Sequence, residues 1–191
     1  LNEGQPDDVI NELQIILETM PDEEVAAFQQ QMLVQYCKAF DNRIIGAAYV
    51  IIGESCDQDD QHGFRGWLIS QGEAFFKKTL EDPDSLADAT ISRKFLYMPD
   101  LIGLGSEVFE ASTGELPPAD PEFELPSEPA GSELLLSELP KLLPNLCAEW
   151  GFEWEEETAA ENVDLVADVL AKVNSQVASA DAELPSDEDE L

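Results

Sequence analysis

Basic residues are scarce in this chain. Nine lysines and arginines stand against 42 aspartates and glutamates, which gives a formal net charge of −33 over 191 residues. The imbalance is stronger in residues 95–191, which carry 24 acidic side chains and only two lysines. A field of this sign repels nucleic-acid phosphates and anionic lipid headgroups, so we expect no direct binding to nucleic acid or to a membrane. A basic protein partner, a solubility role and adaptation to high salt all fit such a charge.

Cysteine and histidine are also sparse. Cys37, Cys56 and Cys147 are far apart and form no Cys-x-x-Cys pair, which fits reduced thiols and predicts a cytoplasmic location. With His62 as the one histidine, a zinc site would need ligands from distant positions, so we expect no metal and no cofactor. No signal peptide and no apolar run long enough to span a bilayer is visible. The chain begins at Leu1 rather than Met, which is compatible with a trimmed N-terminus.

The spacing of apolar residues predicts the fold class. Apolar side chains recur at intervals of three and four in four segments: 9–20, 25–40, 64–80 and 99–113. Residues 44–52 are apolar on all sides, which predicts a central, buried helix. Apolar residues make up 43% of the chain, enough to bury a core. We therefore predict an all-α fold, a compact helical bundle.

Acidic residues in the turns predict where individual helices begin. Asp59 or Asp60 is expected to cap the helix that carries Phe64 and Trp67. Asp82 or Asp84 is expected to cap a short helix in "EDPDSLAD". The segment from Pro99 to Thr113 is expected to form one continuous helix.

Composition divides the chain into five segments. Residues 1–113 are expected to form the helical core domain. Residues 114–132 contain five prolines and no basic side chain, which predicts an acidic, extended linker. The three remaining segments are a short helical and aromatic segment that packs on the core, an amphipathic helix and a disordered acidic tail, at residues 133–155, 156–180 and 181–191.

The stretch "SCDQDDQHGFRGWLISQG", residues 55–72, is dense in groups that can carry chemistry. An EF-hand loop that started at Asp57 would need glycine at position 6 and glutamate at position 12, but it has Gly63 at 7 and Leu68 at 12. Cys56 and His62 could supply a nucleophile and a base, but no third group that would orient them is evident. We therefore assign no catalytic residue and no metal ligand.

Arg65 lies among apolar residues of a predicted helix, and two interpretations stay open. In the structural one, it pairs with a carboxylate and pins the loop to the helix, the candidates being Asp57, Asp59, Asp60 and Asp41. In the functional one, Arg65, Trp67 and Tyr49 line a pocket for an anionic or planar ligand. The candidate ligand- or partner-binding residues are Tyr49, Asp57, Asp59, Asp60, Arg65 and Trp67.

The order of several motifs resembles the bacterial family called Domain of Unknown Function 4240. The matching stretches are Phe40-Asp41, "GAAYVIIGESCDQDDQHGFRGWLISQGEAFF", "LEDPDSLAD" and "TGELPP", and the resemblance covers about residues 7–150. The aromatic-rich helix that usually opens the family is absent here, and the pattern Cys-Ser-Asp-Asp-Gly-Phe is lengthened to residues 56–64. The resemblance implies a small, mostly helical, intracellular bacterial domain, and it implies no established activity.

Together these features favour a non-enzymatic interaction module in the bacterial cytoplasm. Its partner would be a protein, plausibly a basic one, and an immunity or inhibitor protein would fit this description. One alternative is a small-ligand sensor or an enzyme that uses a cleft near residues 57–67. The other is an acidic mimic of nucleic acid, which would need carboxylates spaced along one face.

Overall fold

The computed structural model describes residues 5–121 and 123–154 of the chain. Eight α-helices lie in this part: α1 Pro6–Glu18, α2 Asp22–Lys38, α3 Asn42–Ile52, α4 Gln58–Ser70, α5 Glu73–Glu81, α6 Leu104–Thr113, α7 Leu139–Leu142 and α8 Pro144–Trp150. Short 3-10 helices occur at Pro83–Asp88, Arg93–Phe95, Pro99–Ile102 and Leu136–Glu138. No β-strand occurs among the described residues, so the predicted all-α class is confirmed. None of the helices described here is long and apolar enough to cross a membrane.

The main core forms around α3. This helix is buried on several sides, through Ile44, Ala47, Val50 and Ile51, which confirms the central helix that the apolar run predicts. Fully buried side chains of α4 and α8 pack in the same cluster, namely Phe64, Leu68 and Leu146. A second, smaller cluster joins α1, α2 and α6 through Leu17, Val25, Leu104 and Val108.

Two glycines of α4 allow a second stretch of chain to cross the helix at close range. The Met98 amide donates to the Gly63 carbonyl at 3.1 Å. A Cβ atom on Gly66 would lie 2.0 Å from the Met98 carbonyl oxygen, which is closer than atoms can approach. The chain around Met98 therefore sits directly on one face of α4, while Arg65 lies near α2.

The start of α4 differs from the prediction. Asp57, rather than Asp59 or Asp60, is the N-cap residue, and its side chain accepts from the Asp60 amide at 2.9 Å. The Asp60 carboxylate accepts in turn from the Asp57 amide at 3.3 Å. This reciprocal capping box satisfies two amides that have no partner inside the helix, which explains why the helix begins before Asp59.

Asp84 also has a different role from the predicted one. It lies inside the 3-10 helix Pro83–Asp88, and Asp82 at the N-cap position makes no side-chain capping bond. The Asp84 carboxylate instead accepts from the amides of Asn145 at 3.3 Å and Leu146 at 2.8 Å. It thus caps α8, which lies far from it in sequence but next to it in the fold.

The helix predicted from Pro99 to Thr113 is divided into the 3-10 helix Pro99–Ile102 and α6. The buried Gln29 side chain explains the division. Its Nε2 donates to the Ile102 carbonyl at 2.9 Å, and its Oε1 accepts from the Ser106 amide at 3.2 Å. The amide of Gln29 therefore replaces helical hydrogen bonds on both sides of Gly103.

Residues 114–132, which we call the proline-rich strap, lie against α2. The Gln30 Nε2 donates to the Asp120 carboxylate at 2.9 Å. At the other end, the Ala130 amide donates to the Phe40 carbonyl at 2.8 Å, and the Asn42 amide donates to the Ala130 carbonyl at 2.9 Å. After the strap, α7 and α8 begin with prolines in their first turns. The amphipathic helix predicted at 156–180 and the tail predicted at 181–191 lie outside the described residues.

Candidate functional site

The guanidinium of Arg65 lies over two aromatic rings. Its Cζ atom is 3.9 Å from the centre of the Tyr36 ring and 4.6 Å from the centre of the Phe40 ring. Tyr36 lies in the last turn of α2 and Phe40 just after that helix, so both rings stand on the side of α2 that faces α4. The negative faces of aromatic rings stabilise a cation that lies over them.

The predicted ion pair of Arg65 is absent from the described residues. No carboxylate in this part of the chain lies within 4.0 Å of its guanidinium, and its one hydrogen bond runs from Nε to the Gln61 carbonyl at 3.3 Å. Three of the four candidate partners have other contacts nearby. Asp41 pairs with Arg43 at 3.2 Å, and the carboxylates of Asp57 and Asp60 cap α4. Burial lowers the pKa of Arg65, but arginine remains charged in proteins.

His62 lies beside this stacked arginine, one helical turn before it on α4. The Tyr36 hydroxyl and the His62 Nδ1 atom form a hydrogen bond, and the two rings meet edge to face with their centres 5.1 Å apart. Burial lowers the pKa of His62, and the Arg65 charge lowers it further, against the opposing effect of Asp59. The imidazole is therefore neutral at pH 7, and Arg65 carries the positive charge of this group.

Two cavities meet at Arg65. The smaller has a volume of about 220 Å³ and is lined by Tyr36, Cys37, Phe40, Arg65 and the strap residues Leu125, Pro126 and Ser127. The larger has a volume of about 580 Å³ and is lined by Phe40, Gln58, Asp59, Gln61, His62, Arg65, Ser127 and Pro129. Phe40, Arg65 and Ser127 line both, so the two cavities are adjacent between α2, α4 and the strap, and we call them together the Arg65 cleft.

The predicted site residues do not all meet in this cleft. Asp59 lines the larger cavity together with Arg65, whereas Asp57 and Asp60 serve the start of α4. Trp67 is 5% exposed and packs against Phe64 and Phe75 in the main core. Tyr49 lies on α3 and packs edge to face on Phe152, with ring centres 6.1 Å apart. Neither Trp67 nor Tyr49 lines the Arg65 cleft.

Sequence reasoning missed several residues of the cleft. Tyr36 and Phe40 belong to the apolar pattern at 25–40 that predicts a helix, and His62 was considered only as a base for Cys56 or as a zinc ligand. A signal was present, since two aromatic residues four apart lie on one side of a helix. Nothing in the sequence indicates which basic residue lies over these two rings. Ser127 and Leu125 lie in the segment predicted to be a linker, and no pattern in the sequence indicated that they would line a cavity.

The cysteines near the cleft are not in environments that favour a thiolate. Burial raises the pKa of Cys37, which lines the smaller cavity. Burial, followed by the charges of Asp60 and Asp57, raises the pKa of Cys56 to about 11. Since the thiolate is the reactive form of cysteine, these groups do not form the nucleophile that a Cys56–His62 pair would need.

Comparison with known proteins gives a family and no activity. No curated protein and no solved structure matches the chain. The family model that matches covers residues 1–111, a shorter stretch than the resemblance to about residue 150 had indicated. The matched range includes Tyr36, Phe40, His62 and Arg65, and it ends before the strap that forms the other wall of the cleft. The chain belongs to the family described as "Protein of unknown function (DUF4240)".

Proposed function

We propose that this protein is a non-enzymatic binding domain that takes an anionic group in the Arg65 cleft. The observation that supports it is the state of Arg65: a half-buried cation whose Cζ atom lies over two aromatic rings, with no carboxylate among the described residues within 4.0 Å and with two cavities beside it. In a chain with 42 acidic and nine basic residues, an arginine held away from carboxylates is unusual.

The donors of Arg65 support the same proposal. A guanidinium carries five N–H groups, and among the described residues only the one on Nε has an acceptor. Partly buried charges usually find partners, because their desolvation is costly. A carboxylate would fit the edge of the guanidinium with two parallel hydrogen bonds. The two aromatic rings restrict the movement of the guanidinium, so the Arg65 side chain loses less conformational freedom when it binds a ligand.

The groups around Arg65 favour binding over catalysis. Burial raises the pKa of Tyr36, and it raises the pKa of Cys37 as well. Both groups therefore keep their protons at neutral pH. A general base needs a pKa close to the working pH and a clear path to its substrate, and the Nδ1 atom of His62 is already hydrogen-bonded to Tyr36.

A titration with benzoate tests this proposal, followed through the NMR signals of the His62 ring. Wild type should show saturable shifts, and Arg65→Gln should remove them while circular dichroism shows a retained fold. Arg43→Gln is the matched control, because Arg43 is an exposed arginine next to the same region, paired with Asp41, and it should bind as wild type does. Saturable binding by Arg65→Gln, or none by wild type, would refute the proposal.

A second variant covers the case in which Arg65→Gln does not fold. Ser127 is exposed on the strap and lines both cavities. Ser127→Trp should fill the cleft without disturbing the core, and should abolish the benzoate shifts at an unchanged melting temperature. Unchanged benzoate binding by a folded Ser127→Trp variant would place the anion elsewhere and refute the proposal.

A protein partner is the second candidate function, and the charge of the chain supports it. Even if each of the nine basic side chains paired with one carboxylate, 33 acidic side chains would be left to face solvent or a partner (42 − 9). A surface of this kind speeds encounter with a basic protein. We further propose that the protein binds this partner in the bacterial cytoplasm. The free thiols of Cys37, Cys56 and Cys147 would remain reduced there.

Capture from a bacterial lysate at low and at high salt separates a specific partner from charge alone. One protein recovered at both salt concentrations would support a specific complex, and an immunity- or inhibitor-type role could then be tested on that protein. Recovery of many basic proteins at low salt only would contradict it, because screened charges lose their long-range attraction. Competition by DNA would instead indicate the nucleic-acid mimic.

A further inference from the structure

We propose that the ligand of the Arg65 cleft is an amphipathic monocarboxylate, whose head group binds Arg65 and whose apolar tail lies along α2 beneath the proline-rich strap. This inference rests on the proposed function and adds the ligand class to it. Four sets of observations support it: an apolar groove, its connection to the cleft, the exposed leucines at its edge and the charges around Arg65.

The groove lies between α2, α6 and the strap. Its volume is about 390 Å³, and its walls include Ala26, Leu33, Leu116, Pro117, Pro118 and Phe123. A volume of this size is within the range of cavities that hold small molecules. Gln29 and Gln30 are hydrogen-bonded within the protein, the first to Ile102 and Ser106 and the second to Asp120. Ser106 and Asp120 also line the groove, and most of its remaining wall is apolar.

One face of α2 connects the groove to the cleft. Ala26, Gln30 and Leu33 line the groove, and Cys37 lines the smaller cavity next to Arg65. These positions are three or four residues apart, so they follow one another along one side of the helix. From Ala26 to Cys37 the helix rises by roughly 17 Å, at about 1.5 Å per residue. An extended tail could therefore run along this face from the head-group site.

The strap supplies the second connection, and with it exposed apolar surface. Leu125 lines both the groove and the smaller cavity, so the two spaces share a wall. Leu125 is 64% exposed, and Leu116, which also lines the groove, is 69% exposed. Large apolar side chains at the edge of an apolar cavity are typical of a surface that a ligand covers.

The charges around Arg65 favour one negative charge on the ligand over several. Among the described residues, Arg65 is the one cation that lines the two cavities of the cleft, and Asp59 lines the larger cavity as well. Burial, together with Arg65, lowers the pKa of His62, so this ring adds no charge at neutral pH. A dianionic or polyanionic head would gain one attraction and meet the repulsion of Asp59 and of the net charge of −33.

Calorimetric titration of the full chain with acetate, hexanoate and decanoate below their micellar concentrations tests the inference. We expect weak binding of acetate and tighter binding as the chain lengthens, by roughly fourfold for each methylene that is fully buried. Decanol, which has the tail without the charge, should bind much more weakly than decanoate. Arg65→Gln should lose the binding of all three carboxylates.

Two neighbouring alanines of α2 provide a matched pair of variants. Ala26 lines the groove, whereas Ala27 is exposed and does not line it. Ala26→Trp should fill the groove, so that acetate binds as before and the gain with chain length disappears. Ala27→Trp should retain that gain.

The outcomes separate the two proposals. If acetate and benzoate bind but chain length has no effect, the anion site stands and the amphipathic ligand is refuted. If Ala26→Trp folds and keeps the full gain with chain length, the tail lies elsewhere and the inference is refuted. If wild type binds none of the carboxylates, both proposals fail.

Discussion

Arg65 lacks an ion pair among the described residues because most of the nearby carboxylates bind other groups close to them in the chain. Three of the four candidate carboxylates, Asp41, Asp57 and Asp60, are used within a few residues of their own positions, in the Asp41–Arg43 pair or in the capping box of α4. The fourth, Asp59, lines the larger cavity without forming an ion pair with Arg65. Capping bonds of this kind close between groups that are already adjacent in the chain, so little entropy is lost in forming them. The arginine is left with the aromatic rings of α2 and an open cleft.

The lone histidine provides a direct test of this arrangement. Because burial and Arg65 both lower the pKa of His62, NMR titration of its ring should give a value below 6.5, the ordinary pKa of histidine. Arg65→Gln should raise that pKa, since it removes a nearby positive charge. Arg43→Gln should leave it unchanged. A His62 pKa at or above 6.5 in wild type would contradict the geometry described here.

The lowered pKa of His62 also makes the stability of the fold depend on pH. A histidine with a lowered pKa in the folded state binds fewer protons there than in the unfolded chain. Its contribution to stability is therefore present above about pH 6.5 and is lost as the pH falls through the lowered pKa. Many carboxylates titrate at still lower pH, so the quantity to measure is the difference in unfolding free energy between wild type and His62→Asn. That difference should shrink as the pH falls below about 6.5, and a constant difference would refute this role.

Two glycines of α4 differ in what surrounds them, and they should respond differently to the same substitution. Gly66→Ala would place a Cβ 2.0 Å from a backbone oxygen, and we expect a loss of about 2 kcal/mol or more, as for an overpacked core. Gly63→Ala would place it 2.5 Å from the Tyr97 ring, and Tyr97 is about half exposed. That ring can turn away, and alanine favours the helix by about 1 kcal/mol, so this variant should cost far less. Urea unfolding measures both, and equal losses would contradict the argument.

At the scale of the element, short helices are held by residues that are distant in sequence. α8 contains only seven residues, too few for stability by itself. Its first amides donate to Asp84, and Leu146 and Cys147 anchor its inner face in the main core. Arg93 has a comparable role at the end of α3, where its Nε donates to the Ile51 carbonyl at 2.6 Å.

The contribution of the Asp84 cap to stability can be measured by mutation. Asp84→Ala deletes the acceptor of the Asn145 and Leu146 amides and of the Asn145 side chain, which donates at 2.6 Å. We expect a loss of about 1–2 kcal/mol in the free energy of unfolding, as for other N-cap replacements. Asp88→Ala is the matched control in the same 3-10 helix, because Asp88 is exposed and its one ion pair, with Lys78, spans 3.8 Å. Its loss should stay below about 0.5 kcal/mol, and equal losses for the two variants would argue against a capping role.

At the scale of the whole molecule, charge opposes compactness. With a net charge of −33, the folded state brings like charges closer together than the unfolded chain does. The ion pairs found among the described residues have exposed partners, such as Lys77 and Glu73, and pairs of this kind contribute little. Apolar burial in the two clusters must therefore provide most of the stability.

Salt should stabilise this protein. Raising sodium chloride from about 0.1 M to about 1 M shortens the screening length from about 10 Å to about 3 Å, which weakens the repulsion among carboxylates. We expect the melting temperature to rise across this range. Choline chloride is the control, since its bulky cation screens charge but is poorly coordinated by clustered carboxylates. A rise with sodium alone would indicate a specific cation site, and no rise with either salt would contradict the repulsion argument.

The sequence by itself determined the helical class, the central position of α3 and the charge. These properties depend on local periodicity and on composition, which can be read without knowing any long-range contact. Gly72 at the start of α5 and the prolines in the first turns of α7 and α8 are local signals of the same kind. Caps were harder to predict, because "CDQDDQ" offers several carboxylates and only the geometry of the turn selects Asp57.

Only the tertiary structure decided the candidate site. Arg65 and His62 lie on α4, Tyr36 and Phe40 belong to α2 and its end, and Ser127 and Leu125 lie on the strap. Their meeting depends on how two helices pack and on the course of a proline-rich segment, which two backbone hydrogen bonds of Ala130 fix beside Phe40 and Asn42. Each of these contacts joins residues far apart in the chain, and helical periodicity carries no information on such pairs. The composition of a segment indicates that it is extended, while packing alone determines the surface on which it lies.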